Sequence, residues 1–223
     1  MIFALDPLFL GDAGTLEVVL IVILKVLVAF GVLLLTVMLY IWWMRKFISD
    51  MQNRVGPSRA GPFGILQTLA DGIKLFFKED LIPNKADKFV FKLAPFFSIV
   101  PALLVFTVVP VAGDFSSGGD GTVTWFGNKT FVQLADPHIG ILFVLAMSSI
   151  AVYGIMLAGW SSGSKYPLLG SVRASAQMVS YEAALGLALV AVLMKTGTLS
   201  THNIALSQSG GITDWGLVVT GFV

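Results

Sequence analysis

The sequence predicts an all-α protein, a polytopic bundle of transmembrane helices with one cytoplasmic amphipathic helix in the membrane interface. Of its 223 residues, 56% are hydrophobic and only 12% are charged, about half the charged fraction of roughly 25% that is typical of soluble domains. Several apolar stretches reach the roughly 20 residues that cross a bilayer core. One further segment alternates polar and apolar side chains with a period near 3.6. We therefore treat residues 1–223 as a single membrane domain.

Four stretches are long and apolar enough to span the membrane, and a fifth begins near the end of the sequence. They cover residues 18–43, 93–112, 139–158 and 174–194, with the fifth starting at 215–223. The first contains one charge, Lys25, which we expect to extend its amine towards the nearer interface. Because nine residues are too few to cross a bilayer, we expect the sequence to be an incomplete copy of a longer protein.

The positions of Lys and Arg predict the orientation of the spans. The connection between the first two spans carries nine of them, the next carries only Lys129, and the third carries Lys165 and Arg173. Connections rich in Lys and Arg face the cytoplasm. Residues 45–92 and 160–173 are therefore predicted to be cytoplasmic, with the N-terminus and residues 113–138 outside. We interpret the Gly- and Ser-rich outer segment as a plain connector.

The first cytoplasmic connection contains the predicted amphipathic helix, over residues 62–79. Its polar side chains share one narrow stripe, and its apolar side chains cover the opposite arc; the stripe consists of Gln67, Asp71, Lys74 and Lys78. Such a helix lies in the interface, and an anchor with no other role is the simplest interpretation. Asp71, three residues before Lys74, is a candidate paired titratable group. The Gly- and Pro-rich loop before the helix predicts a tightly turned entry where backbones or a ligand approach closely.

One acidic residue, Glu182, lies within the fourth predicted span. A carboxylate at such a depth costs on the order of 3 kcal/mol, and intramembrane acids usually serve a proton relay, an ion site or a ligand. The helix that carries Glu182 is then marginal in lipid alone, so we expect it to pack against protein. The alternative is a carboxylate that extends to the interface or is capped by a neighbouring hydroxyl such as that of Ser180.

Several kinds of chemistry are not expected from this chain. It contains no Cys, which excludes disulfides, Fe–S ligation and thiol catalysis within it. Its two His residues are far apart and belong to no metal-ligand pattern. No phosphate-binding loop motif precedes the amphipathic helix. We therefore expect no metal site, no nucleotide site and no nucleic-acid partner.

Two segments together carry a family resemblance. They read RVGPSRAGPFGILQTLADGIKLFFKEDLIP, from Arg54, and GWSSGSKYPLLGSVRASAQMVSYEAALGL, from Gly159. The chain resembles the quinone-site membrane subunit of respiratory complex I, NADH:quinone oxidoreductase. The resemblance extends from about Trp43 to Gly186. It implies a protein of eight spans whose first cytoplasmic loop and amphipathic helix form part of a quinone chamber and its entrance.

The resemblance also implies roles for individual residues, none of them catalytic in its own right. The quinone chamber would include Arg45, Arg54, Phe63, Gln67, Asp71 and Lys74. The proton path that couples quinone reduction to pumping would include Glu182, Asp71 and Glu79. Docking or structural roles would fall to Arg59, Lys165 and Arg173.

The same resemblance implies the partners and the location. Quinone would be the substrate, while FMN and Fe–S clusters would belong only to partner subunits. Membrane lipid and the other membrane and peripheral subunits of complex I would surround the chain. The protein would be a multi-pass integral protein of the bacterial plasma membrane, or of an organellar inner membrane.

Three departures and three alternatives accompany the resemblance. Met44 stands where the family has Glu before an Arg-Lys pair, Ser58 replaces Asn of a Gly-Pro-Asn run, and the later acidic loop is absent. A related anchor subunit of a membrane-bound hydrogenase is the first alternative, although the RAGPFG insertion favours complex I. A secondary transporter would explain the spans and Glu182 but not the basic amphipathic segment. A purely structural anchor for soluble subunits is the third.

Overall fold

A computed structural model describes residues 6–9, 14–115 and 119–209 of the chain. Its α-helices are α1 Thr15–Met51, α2 Gln67–Phe76, α3 Lys88–Phe106, α4 Gly140–Ser161, α5 Lys165–Thr196 and α6 Thr201–Ser207, and its strands are β1 Thr122–Trp125 and β2 Asn128–Phe131. Short 3-10 helices form at Pro7–Phe9 and Pro62–Gly64. The predicted start of a fifth span at 215–223 lies outside the described residues.

Four of these helices, α1, α3, α4 and α5, are long and apolar enough to cross a membrane. They correspond to the four predicted spans, so the predicted fold class is confirmed. Mean hydropathy is 3.2 in the most apolar window of α1 and 1.6 in that of α5. The lower value of α5 follows from its sequence, because its most apolar window includes Glu182 and the polar side chains around it.

Local sequence signals account for the helix ends. The Asp87 carboxylate accepts hydrogen bonds from the backbone N–H groups of Phe89 and Val90, at 3.1 and 3.3 Å, and so caps the start of α3. α5 stops at Gly197, which has a left-handed backbone (φ 67°) and donates its N–H to the Leu193 carbonyl.

The chain forms two compact units, one of residues 1–29 with 82–223 and one of residues 30–81. In the first unit α3 packs along α4, and α4 packs along α5. Two glycines of α4 allow these contacts. A Cβ on Gly154 would lie 2.8 Å from the Ala94 carbonyl oxygen of α3, and one on Gly159 would lie 2.7 Å from the Pro167 carbonyl oxygen of α5. Small residues permit such close helix approach in membranes.

The segment 160–173, predicted to be a connecting loop, is helical over most of its length. α5 already begins at Lys165, so Lys165 and Arg173 lie on the helix and only residues 162–164 connect it to α4. Pro167 falls in the first turn of α5, where its missing N–H has no intrahelical partner to lose. The polarity of this stretch favours a loop, whereas its residues form the first turns of α5.

The predicted amphipathic helix at 62–79 is too long at both ends. Phe63 and Gly64 have positive φ values of 54° and 77°, which separates the first 3-10 turn from α2. The helix ends at Phe76, and Phe77 has a non-helical backbone. Glu79 therefore lies outside the helix.

The segment between α3 and α4 is not a plain connector, which corrects the prediction for it. Strands β1 and β2 pair antiparallel, with Thr122 opposite Phe131. Phe126 and Gly127 join them with φ values of 52° and 85°, the pattern of a two-residue turn with two left-handed residues. The Thr130 side chain is buried.

Lys25, for which we expected only an extended amine, has a buried ion-pair partner that the sequence analysis did not identify. Its side chain is only 5% exposed and forms an ion pair with the Asp6 carboxylate. Asp6 also accepts hydrogen bonds from the Thr130 hydroxyl and the Leu8 N–H, each at 3.0 Å. Because a counter-charge lies next to it, the ammonium group is neutralised inside the protein rather than in water.

Candidate functional site

The Gly- and Pro-rich loop before α2 packs against the C-terminal part of α1. Ser49 of α1 is fully buried, and its hydroxyl donates to the Lys46 carbonyl at 2.6 Å. A Cβ on Gly56 would collide with the Ser49 side chain. The Lys46 amine lies 3.5 Å from the Pro57 carbonyl oxygen. The absence of a side chain at Gly56 therefore lets the loop backbone lie directly on α1, as the predicted close approach requires.

The loop then turns through residues with left-handed backbones. Gly61 and Gly64 have φ values of 73° and 77°, and Phe63 between them has φ 54°. A Cβ on Gly64 would lie 2.7 Å from the Ser58 nitrogen. A bulky residue with positive φ stores on the order of 1–3 kcal/mol of strain and persists only where its surroundings hold it. Here the Phe63 carbonyl accepts a hydrogen bond of 3.0 Å from the Trp42 indole, while the Phe63 ring is 76% exposed.

A charged cluster joins α1 to α2. The Arg45 guanidinium donates to the Asp71 carboxylate at 2.5 Å, and the Gln67 amide donates to the other carboxylate oxygen at 3.1 Å. These two hydrogen bonds, Arg45 first and Gln67 second, hold the pKa of Asp71 below its usual 3.8, and the charge of Lys74 adds a smaller effect in the same direction. Asp71 is therefore paired chiefly with Arg45, while Lys74, the neighbour considered from the sequence, acts on it through its charge. We call Arg45, Gln67 and Asp71 the Arg45 cluster.

Other predicted residues of this segment lie apart from the cluster. The Arg54 guanidinium donates to the Gln52 side chain at 2.7 Å. Arg59, Lys74 and Glu79 have exposed side chains. The structure thus brings together three of the six residues predicted for a quinone chamber, and Phe63 is joined to α1 through Trp42 rather than through the cluster.

The second candidate site surrounds Glu182 on α5. Its Oε1 atom accepts hydrogen bonds from the hydroxyls of Ser148 and Ser149 on α4, at 2.5 and 2.7 Å. Glu182 is thus capped by hydroxyls, as the alternative interpretation held, but not by that of Ser180, which donates to the Ala176 carbonyl at 2.9 Å. Sequence reasoning misses the two α4 serines, although two adjacent hydroxyls in the middle of a predicted span without charged residues are a signal for them. As predicted, the Glu182 helix packs against protein.

A pocket of about 300 Å³ opens beside this carboxylate, between α4 and α5. Its lining, which defines the Glu182 pocket, is Ser149, Val152, Tyr153, Met156, Ser175, Val179 and Glu182. The Ser175 side chain is only 9% exposed, and its hydroxyl has no hydrogen-bond partner among the described residues. Within the same part of the chain, no group of three His, Cys, Asp or Glu side chains could hold a metal ion.

Comparison with known proteins places the chain in a family. The family model described as NADH dehydrogenase matches residues 24–223. The H subunit of the NADH-quinone oxidoreductase of Frankia casuarinae is 50% identical over 93% of this chain, and that of Frankia alni is 52% identical over 85%. The H subunit numbered 2 of the NADH-quinone oxidoreductase of Geobacter metallireducens is 48% identical, also over 85%. The aligned regions cover 42%, 40% and 56% of these three relatives.

The chain therefore spans about half the length of the curated relatives it matches. The match extends on both sides of the two segments that carry the resemblance, the one from Arg54 and the one from Gly159. Four apolar helices of spanning length accompany it. The chain belongs to the NADH dehydrogenase family.

Proposed function

We propose that this chain is part of the membrane subunit that forms the quinone chamber of a proton-pumping NADH:quinone oxidoreductase and couples quinone reduction to proton translocation. Relatives that match most of the length of this chain are named as the H subunit of NADH-quinone oxidoreductase. The observation that carries the proposal furthest is the Arg45 cluster, in which an ionised Asp71 holds the Arg45 guanidinium in place.

The chemistry of a quinone fits the groups of this segment. A quinone is a flat apolar ring with two carbonyl oxygens, so a site for it needs hydrogen-bond donors and an aromatic or aliphatic surface. Arg45, Gln67 and Lys74 are donors, Arg54 is a further cation in the same compact unit, and Phe63 offers an exposed ring. Offset stacking of aromatic rings contributes about 0.5–1.5 kcal/mol.

The redox groups of the reaction would lie in partner subunits. This chain has no Cys to hold Fe–S clusters, and FMN and the clusters are proposed to deliver electrons from neighbouring subunits. Two-electron reduction of quinone to quinol consumes two protons. The accompanying change of charge would bias nearby titratable groups, which is how a local electrostatic event moves a larger network. Asp71 and Glu79 are the proposed groups on the chamber side, and Glu182 is the proposed group within the membrane.

The proposed setting is a single membrane domain in the bacterial plasma membrane, surrounded by lipid and by the other membrane and peripheral subunits of the complex. Residues 45–92 and 160–173 would face the cytoplasm, with the N-terminus and residues 113–138 outside. The exposed cations Arg59, Lys165 and Arg173 would contact the peripheral subunits. The bacterial origin of the matched relatives supports this location.

Substitutions in the purified complex test the quinone role. Asp71→Asn removes the charge that holds Arg45, and Lys74→Met removes a donor. We expect each to raise the KM for quinone by about 10-fold, the effect of one lost charge-assisted hydrogen bond, with a smaller change in kcat. Lys88→Met, at the exposed start of α3, is the matched control. An unchanged quinone KM in both variants would contradict the chamber role.

Glu182→Gln tests the coupling role separately, because it keeps the shape of the side chain and removes its titratable proton. We expect loss of proton pumping, measured by a pH-sensitive dye in proteoliposomes, and slower quinone reduction. Unchanged rates of both would refute a role for Glu182 in coupling.

A further inference from the structure

A groove of about 310 Å³ lies between α3 and α4, two helices that are long and apolar enough to cross a membrane. Its lining, which defines the α3–α4 groove, is Phe91, Ala94, Pro95, Ser98, Gly154, Ile155 and Ala158. These residues carry no charge, and Ser98 is the one among them with a polar side chain. The lining shares no residue with that of the Glu182 pocket. The groove is therefore suited to an apolar chain and is separate from the sites described above.

The α3–α4 groove lies in one half of the bilayer. Its lining extends from Phe91, in the first turn of α3, to Ser98, close to the middle of this 19-residue helix. Ser98 comes ten residues after the start of α3, which corresponds to about 15 Å at 1.5 Å per residue. At that depth the two helices touch, because a Cβ on Gly154 would collide with the Ser98 hydroxyl. Since the hydrocarbon core is about 30 Å thick, the groove has the length of one leaflet.

Two lysines flank the end of the groove at which α3 begins. Lys85 packs its backbone against the turn that follows α4, where a Cβ on Gly163 would collide with the Lys85 carbonyl. Lys92 comes three residues before Pro95 of the groove, a spacing that makes the two neighbours on the helix surface. Both lysine side chains are exposed. A lysine stem lies along apolar surface while its amine reaches the polar interface, so both ammonium groups can meet at the same end of the groove.

The positive charge at this end is not balanced within the described part of the chain. Residues 82–106 contain three lysines and one acid, Asp87. The Asp87 carboxylate accepts hydrogen bonds from the backbone N–H groups at the start of α3. Neither Lys85 nor Lys92 forms an ion pair with a described residue. The start of α3 therefore offers cations to a ligand outside the chain.

One class of ligand matches the length, the lining and the charge together. A phospholipid has an acyl chain that extends through one leaflet below a phosphate at the membrane surface. A lysine near the surface favours a headgroup with net negative charge about 5-fold. A zwitterionic headgroup adds a cation of its own, which the lysines repel. An excess of Lys in a connection sets the orientation of the spans, but it does not require a groove of leaflet length beside those lysines.

We propose that the α3–α4 groove binds one acyl chain of an anionic phospholipid, whose phosphate is held by Lys85 and Lys92. The lipid fills the space between the two helices and supplies the negative charge that the start of α3 lacks. This ligand is distinct from quinone, and its site includes no residue of the Arg45 cluster or the Glu182 pocket. The inference thus goes beyond the proposed function and does not depend on it.

The test labels the groove in the intact complex, reconstituted in liposomes. A phosphatidylglycerol with a photoreactive diazirine in one acyl chain is added in trace amount, and mass spectrometry locates its adducts after illumination. We expect adducts on Phe91, Ile155 and Ala158 in the wild type. The same probe with a phosphatidylcholine headgroup should give about 25-fold fewer, about 5-fold for each of the two lysines.

Charge variants test the headgroup contacts. Lys85→Met and Lys92→Met should each lower the phosphatidylglycerol labelling of the groove about 5-fold, and the double variant should lower it about 25-fold. Lys78→Met is the matched control, since it makes the same change at an exposed lysine of the other compact unit and should leave the labelling unchanged. Unchanged labelling in the double variant would overturn the role of the two lysines.

Two further outcomes would overturn the proposal. Equal labelling by the two headgroups in the wild type would mean that unselected membrane lipid fills the groove. Labelling of the exposed face of α1 with no adduct in the groove would mean that a neighbouring subunit covers it.

A variant of the groove itself provides an independent check. Ala158→Leu places a larger side chain in the groove and should abolish the adducts on Phe91 and Ile155, while adducts on α1 stay at the wild-type level and report a folded, membrane-embedded complex. Persistence of the adducts on Phe91 and Ile155 in this variant would contradict acyl-chain binding. The measurements need no turnover, so their failure is distinguishable from failure of the quinone and pumping assays.

Discussion

The ion pair between Lys25 and Asp6 gives the sharpest prediction for the stability of the part of the fold around the β-hairpin. The perturbation is Lys25→Met, which keeps much of the side-chain volume and removes the amine. Asp6 would then retain only the Thr130 hydroxyl and the Leu8 N–H as donors among the described residues. Asp6 contacts both Lys25 of α1 and Thr130 of β2. Loss of its ion pair with Lys25 should therefore increase the population of molecules in which the hairpin is open.

The burial of the two side chains sets the magnitude. Lys25 is 5% exposed and Asp6 is 13% exposed, and removing one partner of a buried pair costs about 3–5 kcal/mol. Because two neutral donors continue to solvate the carboxylate, we expect the lower end, about 3 kcal/mol. At 1.36 kcal/mol per factor of ten, this corresponds to a roughly 150-fold larger population of the open hairpin.

Hydrogen–deuterium exchange of the β1 and β2 amides in the membrane-embedded protein measures this population, because local opening governs exchange. Lys25→Met and Asp6→Asn should each accelerate exchange by about two orders of magnitude. The double variant should exchange nearly like the wild type, since a buried pair replaced as a whole is often neutral. The control is Lys129→Met, which breaks the exposed pair with Asp120 and should cost no more than about 1 kcal/mol.

Two outcomes would refute this reasoning. Equal exchange in wild type and Lys25→Met would mean that the buried pair does not hold the hairpin. A double variant as unstable as the sum of the two single variants would mean that the two charges act independently.

Two further predictions concern helix packing and pH. Gly154→Ala should lower the free energy of unfolding by about 1–3 kcal/mol, because the added Cβ overpacks against the Ala94 carbonyl of α3. The melting temperature in detergent should fall accordingly. Gly186→Ala places nothing within 4 Å of the added Cβ and should raise the melting temperature, because Ala has the higher helix propensity. The pKa of Asp71 is below 3.8 in the folded protein, so the stabilisation from its pair with Arg45 is present above pH 3.8 and is lost as the pH falls through the folded value. The melting temperature should therefore fall more on acidification below pH 3.8 in wild type than in Asp71→Asn, and identical pH profiles would contradict this.

Features that depend on local composition are predictable from the sequence. Four spans follow from hydropathy, because the backbone of any apolar stretch in lipid must satisfy its own hydrogen bonds and does so as a helix. The close approach around Gly56 and Gly64 follows from the density of Gly and Pro in the loop. The resemblance to a family follows from two long motifs whose residues are adjacent along the chain.

Features that depend on distant partners are not predictable in this way. Helix spacing pairs Asp71 with Lys74, its neighbour on one helix face, but the guanidinium that binds it belongs to Arg45, 26 residues away. The donors to Glu182 lie 33 and 34 residues before it, on another helix. Helix periodicity specifies which residues share a face and carries no information on which element packs against that face.

The start of α5 illustrates a different limit. Charge and Gly content separate Lys165 and Arg173 from the apolar run that follows, which favours a loop there. The helix instead includes both of them, with Ser171 and Ser175 buried and the two charged residues exposed. Polar residues in the sequence therefore do not by themselves indicate where this helix begins.

The pair formed by Lys25 and Asp6 has a consequence for biosynthesis. The two residues are 19 positions apart, so the carboxylate has already been synthesised when the lysine emerges and can neutralise it as the first span enters the membrane. The Thr130 hydroxyl that completes the site comes 124 residues after Asp6, which at 5–20 residues per second amounts to roughly 6–25 s of translation. During that interval the Asp6 carboxylate has Lys25 and the Leu8 N–H as its donors among the described residues, and the hairpin joins an ion pair that is already formed.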